Sequence, residues 1–288
     1  MDFWQFIEKE IQDKTRTFFS INQKRSISGG DISHAYHLIG DKTDYFIKIN
    51  QPQFSSLFEQ EAVGLASLSL TNTFRIPVVI TQGIFDAKSY LILEYIALNQ
   101  AGKIENFAKA LAHLHRQSSN KFGFAENNYI GNSIQKNQWN IDWCDFFTLN
   151  RLTVQLQQMV DNHVPTSLID QGYLLLDKLP LILNHKPKPA LVHGDLWQGN
   201  YAFDRNQQPV IYDPACYYGD HEVDLAMLEL FGNPQGSFFE TYQQIYPIHV
   251  GYSKRKDIYN LYHLFNHVNL FAGGYVQQAK NSLNRLLS

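Results

Sequence analysis

Apolar positions in the first hundred residues switch between two periods. Residues 3–19 carry them three and four apart, which predicts an amphipathic helix, whereas 26–38 and 44–49 read as strands of a hairpin turning at Gly40-Asp41. Helical spacing returns over 58–68, and two further strands are predicted over 77–83 and 89–94. From residue 104 onward helices dominate, over 104–117, 143–162, 168–183, 222–230 and 238–246, with one or two more covering 254–287. The exception is a group of short strand-like runs at 190–193, 201–203 and 209–212, entered through the breaker Lys186-Pro187-Lys188-Pro189. The change of character near residue 97 predicts an α+β chain of two lobes. Residues 1–96 form a small antiparallel sheet with one main helix, and residues 97–288 form a larger, mostly helical lobe.

Composition narrows the class of partner. With 44% hydrophobic and 18% charged residues over 288 positions, the chain is an ordinary globular protein. A net charge of −3 offers no general attraction to nucleic acid or an anionic membrane, so a small ligand is expected. No apolar run approaches the length of a bilayer span and the start lacks a secretory pattern, which together predict a cytoplasmic protein. Two cysteines, Cys144 and Cys216, build neither a disulfide framework nor a zinc site. Eleven histidines show no metal-ligand spacing.

The chemistry concentrates in His193-Gly194-Asp195-Leu196-Trp197-Gln198-Gly199-Asn200 and Val210-Ile211-Tyr212-Asp213-Pro214. In protein kinases an Asp that receives the substrate hydroxyl proton precedes a metal-binding Asn by five positions, and a second metal-binding Asp follows the next hairpin. Asp195, Asn200 and Asp213 reproduce that order and offset. A carboxylate and an amide oxygen suit Mg²⁺, a hard cation. Upstream, Lys48 interrupts the apolar strand Tyr45-Phe46-Ile47-Lys48-Ile49, a costly place for a charge unless it is paired; Glu61 on the following helix is the obvious partner. Gly29 and Gly30 let backbone N–H groups approach phosphate, although a Gly-Gly pair is also an ordinary turn. Glu94, Tyr95 and Ile96 end an apolar strand at the lobe junction, where backbone groups suit an adenine edge.

These pieces resemble the fructosamine kinase (ketosamine-3-kinase) family, a branch of the kinase-like fold close to the aminoglycoside phosphotransferases. The resemblance runs through Phe58-Glu59-Gln60-Glu61, Leu111-Ala112-His113-Leu114-His115, Gln138-Trp139, Asp142-Trp143 and Arg151-Leu152. It is most specific in His193–Asn200 and in Tyr212–Met227, which contains Asp213-Pro214-Ala215 and Tyr218-Gly219-Asp220. It implies ATP- and Mg²⁺-dependent phosphorylation of the O3 hydroxyl of a ketosamine (a ribulosamine, erythrulosamine or fructosamine adduct of lysine or a free amine) and so deglycation. Asp195 is then the proton acceptor, Asn200 and Asp213 hold Mg²⁺, Lys48 and Glu61 set the phosphates, and 94–96 form the adenine hinge. The glycine segment departs from a full G-x-G-x-x-G. It carries Asp31 where some relatives have a redox-active Cys, so no disulfide switch is expected.

Trp139, Asp142, Trp143 and Trp197 are candidates for the sugar-amine cleft, because aromatic faces cover apolar sugar surfaces and attract a protonated amine. Asp220, Glu222 and Asp224 read either as acidic support for that cleft or as a helix N-cap and first turn. Two other classes share the Asp195, Asn200 and Asp213 core: an alcohol phosphotransferase acting on an aminoglycoside, choline or homoserine-like acceptor, and a non-catalytic nucleotide-binding module. The chain is expected to be a monomer, as no heptad pattern or extended apolar face is evident.

Overall fold

Asp2 caps the first helix, α1 (Phe3–Thr15): its carboxylate accepts the Gln5 N–H while the Gln5 side chain accepts the Asp2 N–H. Two amide groups that a helix start leaves open are thereby satisfied. The computed structural model describes residues 1–27, 33–232, 234 and 236–288. They form two units, one of Met1–Gly102 with Tyr201–Pro214 and one of Lys103–Asn200 with Ala215–Ser288.

In the first unit, Phe3, Ile7 and Ile11 of α1 lie about one turn apart on one face and are buried. They pack on an antiparallel sheet of β1 (Gln23–Ile27), β2 (His34–Ile39), β3 (Asp44–Asn50), β4 (Val79–Phe85) and β5 (Lys88–Glu94), in the order β1-β2-β3-β5-β4. Tyr45, Ile47 and Ile49 of β3 enter this core with Leu38, Tyr90 and Ile92. Because strand side chains alternate, Phe46, Lys48 and Asn50 face the other way. A one-residue slip in register would drive Lys48 into the α1 core, so the apolar pattern itself fixes where the lysine points. The helix α2 (Ser55–Ser69) brings Glu61 to Lys48.

The expected strand over 26–38 is in fact two, β1 and β2, paired from Gln23↔Ile39 to Ile27↔Ala35. All five β1 residues are exposed, so no alternation announces the strand. Gly29, Gly30 and Asp31 lie outside the described residues. The hairpin of Tyr201–Phe203 and Pro209–Ile211 also belongs to this unit. Asn99 and Phe203 exchange backbone hydrogen bonds of 2.7 and 2.8 Å, and the Arg75 N–H donates to the Pro209 carbonyl at 3.0 Å.

The second unit is mostly helical around an aromatic core that includes Trp143, Phe146, Phe147, Tyr217, Tyr259 and Tyr262. The helix expected over 143–162 is interrupted by a π-helical turn, Thr148–Leu152, between Trp143–Phe147 and Thr153–Asp161. The one expected over 168–183 divides into Thr166–Leu176 and Leu179–Ile182, the second with Pro180 in its first turn, where a missing N–H costs nothing. Residues 254–287 form two helices, Tyr252–Phe271 and Gly274–Leu287. Two small antiparallel pairs complete the unit: Ala190–Val192 with Tyr217–Gly219, and Asn128–Ile130 with Ser133–Gln135. Cys216 is buried and Cys144 half-buried. No described helix is long and apolar enough to cross a membrane.

Candidate active site

Lys48 is the centre of the first unit's polar cluster. Its Nζ lies 2.7 Å from Glu61 Oε1 and 2.5 Å from Asp213 Oδ1. Burial alone would depress the ammonium, but Asp213 and Glu61 together more than reverse it, and Lys48 stays charged with its pKa above the ordinary value. Burial pushes the Glu61 carboxyl up to about 7, against the pull of Lys48 and with the help of the Asp213 charge. Asp213 has a left-handed backbone, φ 57°, and a side chain 44% exposed, so part of its carboxylate remains open to a ligand.

The strand that ends at Glu94 is partly committed. The Glu94 N–H donates to the Val78 carbonyl at 2.8 Å, and its carboxylate binds Arg75 and the Val78 N–H. The expectation of an open backbone at 94–96 is therefore corrected at the Glu94 N–H, which already has a strand partner. Tyr95 stacks on His37 with centroids 3.5 Å apart and planes 5° from parallel.

In the second unit, Asp195 follows a tight bend. Gly194 has φ +82°, and a Cβ there would stand 2.1 Å from the Ala215 carbonyl oxygen, so only glycine fits. Asn200 donates its Nδ2 to Asp195 Oδ2 at 3.0 Å and to the Asp195 carbonyl at 2.9 Å. The amide nitrogen is thus committed to the loop, which leaves Oδ1 as the atom Asn200 can offer a cation. Asn200 Oδ1 in the second unit and the Asp213 carboxylate in the first are each a hard oxygen donor of the kind Mg²⁺ takes, so each residue by its own chemistry suits that ion.

Asp224 holds the bend from beneath. Its two carboxylate oxygens accept the backbone N–H groups of His193 at 2.8 Å and Gly194 at 2.9 Å. His115 Nε2 lies 3.1 Å from the same carboxylate, and His115 Nδ1 2.6 Å from the Tyr242 hydroxyl. Burial alone would raise the Asp224 carboxyl, but these hydrogen bonds hold it below its ordinary value. Burial keeps His115 neutral, consistent with Nε2–H donating and Nδ1 accepting from Tyr242. The N-cap of helix Glu222–Leu230 is His221 rather than Asp220. Asp220 accepts the Glu222 N–H at 3.1 Å and binds His185 and Tyr259, while Glu222 pairs with Arg255 through two bonds of 2.7 and 2.8 Å. All three acids are buried. The sequence clue to Asp224 was an acid inside the apolar run 223–228, which demands a partner.

The cleft candidates divide. Trp139 is 42% exposed, with its ring 6.2 Å from that of Tyr218, and Trp197 is 37% exposed and meets Phe231 edge-on. Asp142 is the N-cap of helix Trp143–Phe147, accepting the Asp145 N–H at 2.9 Å. Trp143 is corrected: it is 2% exposed, sits in the aromatic core and donates its indole N–H to Tyr259 at 3.0 Å, so it has no face for a sugar.

The sequence pattern of the fructosamine kinase family matches residues 3–288. The chain belongs to the fructosamine kinase family. It is 41% identical over 289 residues to a protein named as a probable ketoamine kinase in Vibrio parahaemolyticus, covering 99% of each chain. It is 38% identical over 267 residues to the chloroplastic protein-ribulosamine 3-kinase of Arabidopsis thaliana, covering 91% of this chain and 82% of that one. A crystal structure described as a candidate fructosamine-3-kinase from Haemophilus somnus superposes with a TM-score of 0.90 at 29% identity, over 99% of this chain and 98% of the other. The expected α+β kinase-like fold is therefore the fold of this family member, and the chain is an ATP-dependent ketosamine kinase.

Proposed function

We propose that this fructosamine kinase family member phosphorylates the O3 hydroxyl of ketosamines and so starts the release of sugar from glycated amines. The observation that carries this reading is the Asp195–Asn200 pair, in which an amide fixes one carboxylate oxygen in a half-buried loop. Asp195 orients the acceptor hydroxyl and takes its proton as the oxygen bonds to the γ-phosphorus of ATP and the bond to the β–γ bridging oxygen breaks, releasing ADP. Lys48, held by Glu61, sets the α- and β-phosphates. Mg²⁺, with Asn200 Oδ1 and the Asp213 carboxylate as protein oxygens, supplies neutralisation of phosphate charge. The backbone of Tyr95 and Ile96 receives adenine, and Glu94 contributes at most its carbonyl. Gly29 and Gly30 approach the phosphates. Trp139 and Trp197 cover the sugar, and Asp142 attracts the substrate's ammonium. The phosphate placed on carbon 3 is a leaving group, and its loss lets the adduct break down and free the amine.

The test is ³¹P NMR of purified protein with Mg-ATP and, separately, ribulosyl-lysine, erythrulosyl-lysine and fructosyl-lysine. A ketosamine-dependent phosphomonoester signal is expected, together with a fall of about 10²–10⁴ in rate for Asp195→Asn. Wild-type turnover in that variant would remove Asp195 from the mechanism.

A further inference from the structure

Arg151 is fully buried. A guanidinium is charged at any physiological pH, and an enclosed charge is costly unless paired. Among the described residues every ion pair lies elsewhere, and none reaches Arg151. Its hydrogen-bond partners are neutral: the Lys136 and Asn150 carbonyls and, at 2.9 Å, Asn137 Oδ1. Aromatic rings supply the rest, with the guanidinium carbon 4.0 Å from the Tyr217 centroid and 4.8 Å from that of Phe146. The residue sits in the π-helical turn Thr148–Leu152, an irregularity often found at functional sites.

Two routes lead from this buried charge to the bend before Asp195. The first is a ring contact. Tyr217 pairs with Val192 across the short sheet, and its Cε1 lies 3.3 Å from the position of a Cβ on Gly194. The second is a chain of amides. Asn137 Nδ2 donates to Asn128 Oδ1 at 2.9 Å, and Asn128 Nδ2 donates to the Cys216 carbonyl at 2.8 Å. Gln135 Nε2 donates to Asn128 Oδ1 at 2.8 Å and to the Ala215 carbonyl at 3.0 Å. The Ala215 N–H in turn donates to the His193 carbonyl at 2.9 Å, and the Ala215 carbonyl is the group that excludes a side chain from Gly194.

The direction of this chain follows from its first member. Arginine only donates, so Asn137 must present its oxygen to Arg151 and its NH₂ to Asn128, and Asn128 must then present its NH₂ to Cys216. The Glu126 carbonyl, which accepts from Asn137 Nδ2 at 3.1 Å, and the Cys216 and Ala215 carbonyls hold the same orientation from the other end, so the amides are clamped between a group that only donates and groups that only accept. We propose that Arg151 is a positioning residue for phosphoryl transfer: its donor-only charge anchors the far end of the Asn137, Asn128 and Gln135 amide chain, and these amides with Tyr217 fix the backbone at Gly194 that aims Asp195. The inference rests on the kinase reading above and deepens it.

The experiment compares wild type with Arg151→Met and Gln135→Met by steady-state kinetics on a ketosamine, thermal melting and amide hydrogen exchange. For Arg151→Met, kcat is expected to fall by about 10- to 100-fold, the scale of a small misplacement of a reacting group. The KM for ATP stays within about threefold of wild type. Tm falls as well, because the Lys136 and Asn150 carbonyls and Asn137 Oδ1 lose their donor, so kcat is taken per folded molecule at a temperature well below the melt. Exchange quickens in peptides covering 192–196 and 215–217 and nowhere else to a similar degree. Gln135→Met, which cuts the amide route and spares the ring contact, moves kcat and exchange in the same direction by less. Wild-type kcat and exchange in Arg151→Met, or a collapse of Tm with full activity per folded molecule, overturns the proposal. Wild-type protein that phosphorylates no ketosamine sinks the kinase reading instead, and the exchange data still decide the role of Arg151.

Discussion

Lys48 and Arg151 are basic residues enclosed in different units, and the surroundings answer their charges in opposite ways. Lys48 lies between two carboxylates, Glu61 and Asp213, one of them still open to solvent. Arg151 meets carbonyls, an amide and aromatic faces, with no carboxylate among the described residues. A charge meant to exchange partners with a ligand is held by other charges, which phosphate or a metal ion can replace. A charge meant to stay fixed is built into neutral dipoles that are themselves held by further hydrogen bonds. The first arrangement is tuned by charge balance and pH, the second by geometry.

The largest effect expected from this contrast is at Lys48. Lys48→Met removes the charge proposed to set the phosphates and leaves Glu61 and Asp213 repelling each other, so kcat/KM for ATP should fall by about 10²–10³-fold, the usual loss for one charge-stabilising donor. A change below tenfold in steady-state kinetics would make the cluster a structural ion pair. Asp224→Asn comes next. Asparagine has one acceptor oxygen for the two N–H groups of His193 and Gly194, so one buried amide loses its partner at about 1–3 kcal/mol. Urea unfolding should show that loss and kcat should fall, with KM for ATP little changed.

Glu61 gives a smaller, pH-dependent effect. Its pKa rises from 4.5 in the open chain to about 7 in the fold, so across that window the unfolded chain gives up the proton first. The folded state binds more protons, and this carboxyl's contribution to stability declines as pH rises from about 4.5 to 7. Melting curves of wild type and Glu61→Gln should diverge across that interval; parallel curves would show that Lys48 keeps Glu61 ionised throughout. The smallest effect is at Trp143. Trp143→Phe removes the hydrogen bond to Tyr259 and should cost about 1 kcal/mol in stability with near-normal turnover. A tenfold loss of activity without a change in Tm would return this ring to the substrate cleft.

What sequence reading reached and what it missed follow the same division. The Lys48–Glu61 pair was legible because a lysine in an alternating apolar strand needs a counter-charge, and Asp195, Asn200 and Asp213 stood out as candidates because their spacing is local. Arg151, Asn137, Asn128 and Gln135 were not, since neutral hydrogen bonds leave no periodic trace and join residues far apart in the chain. Strand β1 was invisible because both of its faces are exposed, and the π-helical turn because one extra residue barely disturbs a 3.6-residue period. Trp143 misled for a plain reason: an aromatic ring at helical spacing looks the same whether it faces a sugar or the core.

Residues 201–214 belong to the first unit, although the chain on either side of them belongs to the second. No single cut can therefore divide this protein into two self-sufficient pieces. A fragment ending at Gly102 would keep Lys48 and Glu61 but lack Asp213 and the strands that close on Asn99 and Arg75. Its complement would carry an orphaned hairpin with nothing of its own to join. Recombination or fusion by exchange of whole halves is closed to such a chain, and an insertion at residue 200 or 214 would lengthen one of the two stretches of backbone that run between the segment bearing Asp213 and the second unit.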